Sequence, residues 1–318
     1  MNKLKKIGLT ALASSLVATS INAGELSVSG SASIDVAQRS QLATGKNWSM
    51  GNSVNFSGSG EMDNGLNVSV SFELDQGAGD GTGPFDNHSL TIGSDSLGSL
   101  TFAGHGGSTA VGMVDTTAAG DLWDNTLGIN TATGGDGVQS AAGGNDIMIY
   151  TLPSIADGFG AQLSYTPQTT GHESSSAFNL SYTGIDGLAV HYAQGNDNNT
   201  ANTDIDVATY KISYAYGPVT AGYSYLDYDH KTSTKDQEVT SYSLSYTVSE
   251  NISVSYGMET FERPGKTADI DVDGFSASYT SGGMTLSGTV INADNVDHSA
   301  TAVNNDNEFW KLAASFAF

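Results

Sequence analysis

The chain has 318 residues, no cysteine, and 34 acidic against 11 basic residues, for a formal net charge of −23. The missing cysteines exclude a disulfide scaffold and thiol chemistry, and the acidic excess excludes the clustered Lys and Arg that a nucleic-acid partner needs. With 39 Gly and only five Pro a disordered acidic chain is the competing class, but 14 Tyr and 11 Phe recur in a regular order that such a chain lacks.

Residues 1–23 read as a signal peptide. Lys3, Lys5 and Lys6 precede an uncharged run over 7–21, and Asn22-Ala23 stand before the expected cut. The run holds Ser14, Ser15, Thr19 and Ser20 and falls short of the ~20 apolar residues of a spanning helix. The mature domain is then 24–318. Losing the three leader lysines leaves eight basic residues against 34 acids, a net charge of −26 that repels nucleic acid and attracts cations.

From Leu26 the chain alternates. Leu26, Val28, Gly30, Ala32, Ile34 and Val36 share one parity and Ser27, Ser29, Ser31, Ser33 and Asp35 the other, as in a strand with one greasy and one wet face. A second run from Val54 to Met62 meets Asp63-Asn64-Gly65 and a third runs Leu66, Val68, Val70, Phe72, Leu74, so Asn-Gly marks a hairpin. Short turns recur near 95–99, 154–158, 185–187, 217–218, 249–251 and 281–283. Longer polar connections centre near Gly45, Gly79, Asp124, Thr170, Asn199, Thr232, Gly265 and Val296. Seven turns and eight loops join sixteen strands, with all turns at one end and both termini among them. The fold class is therefore all-β: an up-and-down antiparallel barrel that leaves no edge, satisfies its backbone inside lipid, and encloses water. Tyr165, Tyr182, Tyr192, Tyr216, Tyr225, Tyr256, Tyr279 and Trp310 lie on the greasy parity, where amphipathic rings suit the headgroup region. The alternative is an exported surface adhesin on a β-rich scaffold; a β-helix would show a constant repeat, and these loops vary in length.

The closing run carries Trp310, Leu312, Ala314, Phe316 and Phe318 on one parity. This ending resembles the last strand of the Gram-negative general porins, the sixteen-stranded type found in alphaproteobacteria. In that family the terminal strand is the signal read by the barrel assembly machinery, a role the resemblance gives to Phe316 and Phe318. The segment 98–104 resembles the Gly-Ser-Leu strand that enters the third loop of such porins, and Asn145 to Tyr150 with Pro153, Gly158 and Phe159 resembles the segment after it. The resemblance implies a passive channel for small hydrophilic solutes in the outer membrane, a third loop folded inward, a homotrimer, and lipid and lipopolysaccharide as surroundings.

The longest connection, about 104–144, is too long to lack a function. Under the resemblance its acids Asp115, Asp121, Asp124 and Asp136, with His105, line the constriction. Porins commonly face such acids with a basic cluster, and here the chain departs: inward-parity bases are Arg39, Lys211 and Lys311, with His191 beside them, whereas Asp35, Glu61, Glu73, Asp75 and Glu259 outnumber them. The expected selectivity is for cations. Asp269, Asp271 and Asp273 imitate the start of an EF-hand, but Thr280 stands where the bidentate Glu belongs, so loosely bound calcium is the most they suggest and no cofactor is expected. In the same stretch Ile270 and Val272 differ in parity from Phe275, Ala277 and Tyr279, which suggests a bulge near Gly274. The six His have no metal-binding spacing and no nucleophile elbow is present, so no enzyme is expected.

Overall fold

A computed structural model describes residues 26–40, 47–75, 85–114, 117–124, 143–168, 173–196, 205–296, 298 and 306–318. Sixteen strands close one antiparallel barrel: β1 (Leu26–Arg39), β2 (Asn47–Glu61), β3 (Asn67–Asp75), β4 (Asn87–Ser94), β5 (Gly98–His105), β8 (Ile147–Thr151), β9 (Phe159–Thr166), β10 (Ser175–Tyr182), β11 (Leu188–Asn196), β12 (Ile205–Tyr216), β13 (Val219–His230), β14 (Gln237–Ser249), β15 (Ile252–Glu262), β16 (Ile270–Ser281), β17 (Met284–Asp294) and β18 (Asn307–Ala317). Each pairs with its neighbour in sequence, and β1 pairs with β18. Two further strands, β6 (Gly107–Ser108) and β7 (Gly143–Gly144), form a small ladder at the root of the long loop between β5 and β8. Among the described residues no helix is long and apolar enough to cross a membrane.

The seam shows why glycine and phenylalanine stand where they do. Gly30 N–H donates to Phe318 O at 2.8 Å and Phe318 N–H donates back to Gly30 O at 3.0 Å. A Cβ on Gly30 would fall within 2.5 Å of the Phe318 ring, so the terminal aromatic lies over the one position of β1 that has no side chain. The Asn-Gly hairpin is also present. Gly65 adopts φ +80°, Met62 N–H donates to Leu66 O at 2.7 Å, and the Asn64 side chain accepts from Leu66 N–H at 3.1 Å.

Opposed residues in the antiparallel ladders share a face, which sorts the wall into two surfaces. Outside, Leu26, Val28, Ile34, Leu163, Leu180, Ile212, Leu244, Phe275 and Leu312 are all exposed. Tyr210, Tyr223, Tyr225 and Tyr242 stack across β12, β13 and β14 with ring centroids 5.1 to 6.2 Å apart. Inside, hydroxyls pair across strands, as Ser31 with Ser53, Thr91 with Thr101 and Ser276 with Thr289. In a tight soluble fold these pairs would cost desolvation; facing a wide lumen they remain hydrated.

The expected bulge near Gly274 is absent. The pairing of β16 with β15 and with β17 runs without a register shift through Gly274. Shifts occur instead between Thr247 and Ser249 in β14 and between His88 and Ser89 in β4. Ile270 and Val272 are on the inward parity all along, 0% and 1% exposed, because the lumen at that height is dry. The same inversion spans the neighbouring strands. Val207, Leu226, Val239, Phe261, Ile291 and Phe309 point inward and are buried, while Asp206, Asp227, Glu238, Glu262, Asp294 and Glu308 take the outward parity beside them. Past the apolar band these strands meet water outside and a packed core inside, so their polarity reverses.

Candidate functional site

The core inside the barrel is supplied by the long loop. Ala110, Val111, Val114 and Leu122 pack against Ala177, Ala193, Val207, Leu226, Val239, Phe261, Ile270, Val272 and Ile291, all inward residues of β10 to β17. Two short 3-10 turns, Gly112–Val114 and Leu122–Asp124, carry these contacts. Trp123 lies edge-on to Phe261 at 6.4 Å.

Polar groups of the wall hold the loop's main chain along the same side. The Ser164 hydroxyl accepts from Ala110 N–H at 2.8 Å, Ser224 from Ala118 N–H at 2.8 Å and Ser241 from Ala119 N–H at 2.9 Å. The Lys211 ammonium donates to Thr117 O at 3.0 Å. Glu259 is 1% exposed, and its carboxylate accepts from Leu122 N–H at 2.9 Å and Trp123 N–H at 3.2 Å. Each would otherwise be a buried main-chain donor or acceptor without a partner, which is why a loop so far from regular structure tolerates burial. Gly257 and Gly274 make room: a Cβ on Gly257 would fall 2.6 Å from Ala119 Cβ, and one on Gly274 would fall 3.0 Å from a Leu122 methyl.

The described part of the loop thus lies on the β9 to β17 side. Opposite, between its root and strands β2 to β5, a cavity of about 360 Å³ opens, lined in part by Asn55, Ser71, Glu73, Thr101, His105 and Met113. The wall that the described loop residues leave uncovered carries most of the predicted inward acids. Asp35 accepts from the Ser49 hydroxyl at 2.7 Å and Glu73 from the Asn87 amide at 2.6 Å. Asp75 stands opposite Ser53, and Glu61, exposed at the end of β2, stands opposite Asn67. Arg39 faces Phe309, and Lys311 lies between Ala37 and Thr289.

The structure therefore separates residues that share a parity in the sequence. Lys211 and Glu259 do face inward, but they hold the loop and Glu259 is sealed beneath it, so it is an anchor of the constriction and not part of the open wall. His191 sits directly opposite Lys211 in the ladder. His105 ends β5 at the loop root, its Nδ1 against the Asp86 carbonyl and its ring near-parallel to His88 at 6.5 Å. Asp121 adopts φ +49°; its carboxylate accepts from the Thr117 hydroxyl at 3.0 Å, and its N–H donates to the same oxygen at 2.6 Å. Asp115 and Asp136 lie outside the described residues, as does the side chain of Asp124. Phe316 is outward, opposite Ala32 and Met284.

Asp271 and Asp273 are in extended strand on the outer face, so the EF-hand-like spacing is realised as a ladder and not as a calcium loop. Asp271 accepts from the Thr260 hydroxyl at 2.8 Å. Among the described residues no three His, Cys, Asp or Glu side chains are placed to hold a metal ion.

A family model described as Gram-negative porin matches residues 8–269 of the chain. The protein belongs to the Gram-negative porin family. Solved structures agree on the fold. An anion-selective porin from Comamonas acidovorans is 15% identical, with a TM-score of 0.69 over 93% of this chain and all of that one. OmpT of Vibrio cholerae in its trimer form is 16% identical, with a TM-score of 0.68 over 93% and 100%. A triple mutant of Rhodopseudomonas blastica porin is 16% identical, with a TM-score of 0.65 over 92% and 100%. No curated protein sequence matches the chain. Family and fold make this porin a passive channel of the outer membrane, and they lend the adhesin alternative nothing. In this porin the loop is held by a buried carboxylate, three serines and a lysine spread over five strands.

Proposed function

We propose that this porin is a cation-preferring diffusion channel for small hydrophilic solutes, assembled as a homotrimer after removal of residues 1–23. The observation that carries the selectivity is the division of charge between the two sides of the lumen. On the inward face of β1 to β5, Asp35, Glu61, Glu73 and Asp75 accompany a single basic residue, Arg39, with Lys311 beside them on β18, while the Lys211 ammonium is turned to a loop carbonyl. Solutes pass along the wall that the described loop residues leave uncovered, where fixed negative charge concentrates cations. Asp121 adds a carboxylate from the loop side, and Asp115, Asp124 and Asp136 are proposed to do the same. The relative whose name declares anion selectivity shares the fold at 15% identity, which leaves wall chemistry free to differ.

The trimer is supported by OmpT of Vibrio cholerae, solved in a trimer form. Phe316 and Phe318 are proposed as the signal for the barrel assembly machinery, with the lipid bilayer and lipopolysaccharide around the outer face. The test of selectivity is the reversal potential of single channels under a potassium chloride gradient. A potential of the sign set by potassium supports the reading; one set by chloride defeats it while leaving the barrel intact.

A further inference from the structure

The cavity between the root of the long loop and β2 to β5, about 360 Å³ in volume, is built around one carboxylate. Glu73 lies half-buried on β3, with Asn55 of β2 and Asn87 of β4 opposite it on either side. The Asn87 amide donates to Glu73 Oε2 at 2.6 Å. A carboxylate offers about four lone-pair directions, so this bond fixes the group and takes up only one of them. Ser71, Ser89 and Thr101 add hydroxyls to the lining. His105, also in the lining, donates through Nδ1 to the Asp86 carbonyl, which makes Nε2 the acceptor of the neutral ring. Ala103 and Ile149 of the wall and Met113 of the loop give the same cavity an apolar flank.

Three classes of guest fit this lining badly. An anion would meet Glu73 with no Lys or Arg among the described residues around it. A sugar ring would find no Phe, Tyr or Trp there to stack on. A bare divalent ion would find no three His, Asp or Glu side chains placed for it among the described residues. A protonated amine fits well. An ammonium has three donors and no acceptor, and the cavity offers it a carboxylate, an amide oxygen and hydroxyls, with hydrogen bonds strengthened because both partners are ionised. At roughly 30 Å³ for each water-sized group, the space holds about a dozen non-hydrogen atoms. We infer that this cavity is a subsite of the permeation path that takes small organic amines, with the ammonium on Glu73 and the hydrocarbon part against Met113. The inference rests on the cation-preferring reading and deepens it: that reading needs only fixed negative charge, whereas the subsite selects N–H donors.

The experiment is block of the potassium current of single channels in planar bilayers by two chlorides of similar size. Butylammonium has a charge and N–H donors; tetramethylammonium has the charge alone. The expected result is saturable block by butylammonium, with half-block by tetramethylammonium at a concentration about tenfold higher or more, the factor that hydrogen bonds to a charged group supply. Glu73→Gln should raise the butylammonium half-block concentration about tenfold, and Asp35→Asn, which removes a wall carboxylate outside the cavity lining, by no more than about twofold. If Glu73→Gln gives no heat-modifiable barrel, Asn55→Ala takes its place; it removes an amide oxygen, leaves the charge, and should raise the half-block concentration severalfold. Equal block by the two cations, or an equal loss in Asp35→Asn, means a diffuse field without a subsite and overturns the inference. No block in a channel whose reversal potential follows potassium overturns it as well and leaves the cation preference standing. A reversal potential that follows chloride means that the cation-preferring reading has itself failed and takes the subsite with it.

Discussion

Replacing Glu259 by Ala should release the constriction loop without opening the barrel. Its carboxylate accepts two main-chain N–H groups, from Leu122 and Trp123, at 2.9 and 3.2 Å, and is 1% exposed. Two bonds converge on this one side chain, each worth about 0.5–1.5 kcal/mol with the carboxyl neutral and about 1.5–3 with it ionised, against one neutral bond at each of Ser164, Ser224 and Ser241, so Glu259 outweighs any one of them. Losing both bonds weakens the attachment of the segment around Leu122 by about 3 kcal/mol or more, which raises its released fraction about a hundredfold. The wall is unaffected, since the ladders of β15 with β14 and β16 do not pass through the side chain. Trp123 is the reporter. It packs against Phe261 inside the barrel, so in a Trp48→Phe, Trp310→Phe background its emission reads the loop alone. Glu259→Ala should red-shift that emission, raise its quenching by acrylamide and add open-channel noise, while the unheated electrophoretic mobility stays that of the folded barrel. Glu259→Gln, which keeps one acceptor oxygen, should fall between. Unchanged quenching and noise in Glu259→Ala would refute the idea that this carboxylate pins the loop.

A second route to the same release is steric. Gly257→Val puts a Cβ 2.6 Å from that of Ala119, and should reproduce the Trp123 quenching of Glu259→Ala. For selectivity, Glu73→Gln with Asp75→Asn removes two carboxylates of the inward wall of β3. Each charge is worth about 0.8 kcal/mol to an ion about 5 Å away in water, a factor of about four, so the potassium-to-chloride permeability ratio should fall severalfold, and less in high salt. At the seam, Gly30→Leu puts a Cβ 2.5 Å from the Phe318 ring and displaces it; the yield of heat-modifiable barrel in a refolding assay should drop, and deletion of Phe318 should lower it in the same way.

The barrel was legible because period 2 and alternating turn lengths are local signals. Asp63-Asn64-Gly65 announces its hairpin, and the sixteen strands fall where alternation places them. The site was less legible because parity tells which face a residue takes, not what covers that face. Glu259 and Glu73 have the same parity rule, yet one lies beneath the loop and the other beside the cavity. The serine anchors Ser164, Ser224 and Ser241 look like any inward serine. One signal was available: apolar residues on the wet parity next to acids on the greasy parity, at Ile205-Asp206-Val207, Leu226-Asp227-Tyr228 and Ile270-Asp271-Val272. Read on one strand, the last of these suggests a bulge. Repeated at the long-loop ends of β12 to β18, the inversion means that the strands have left the lipid and that something dry fills the tube.

Recording from the purified protein in planar lipid bilayers tests the central claim most directly. Stepwise current increments on insertion, ohmic and well resolved, are the result expected of a water-filled barrel narrowed from one side; a correctly folded barrel that inserts and stays silent would contradict it.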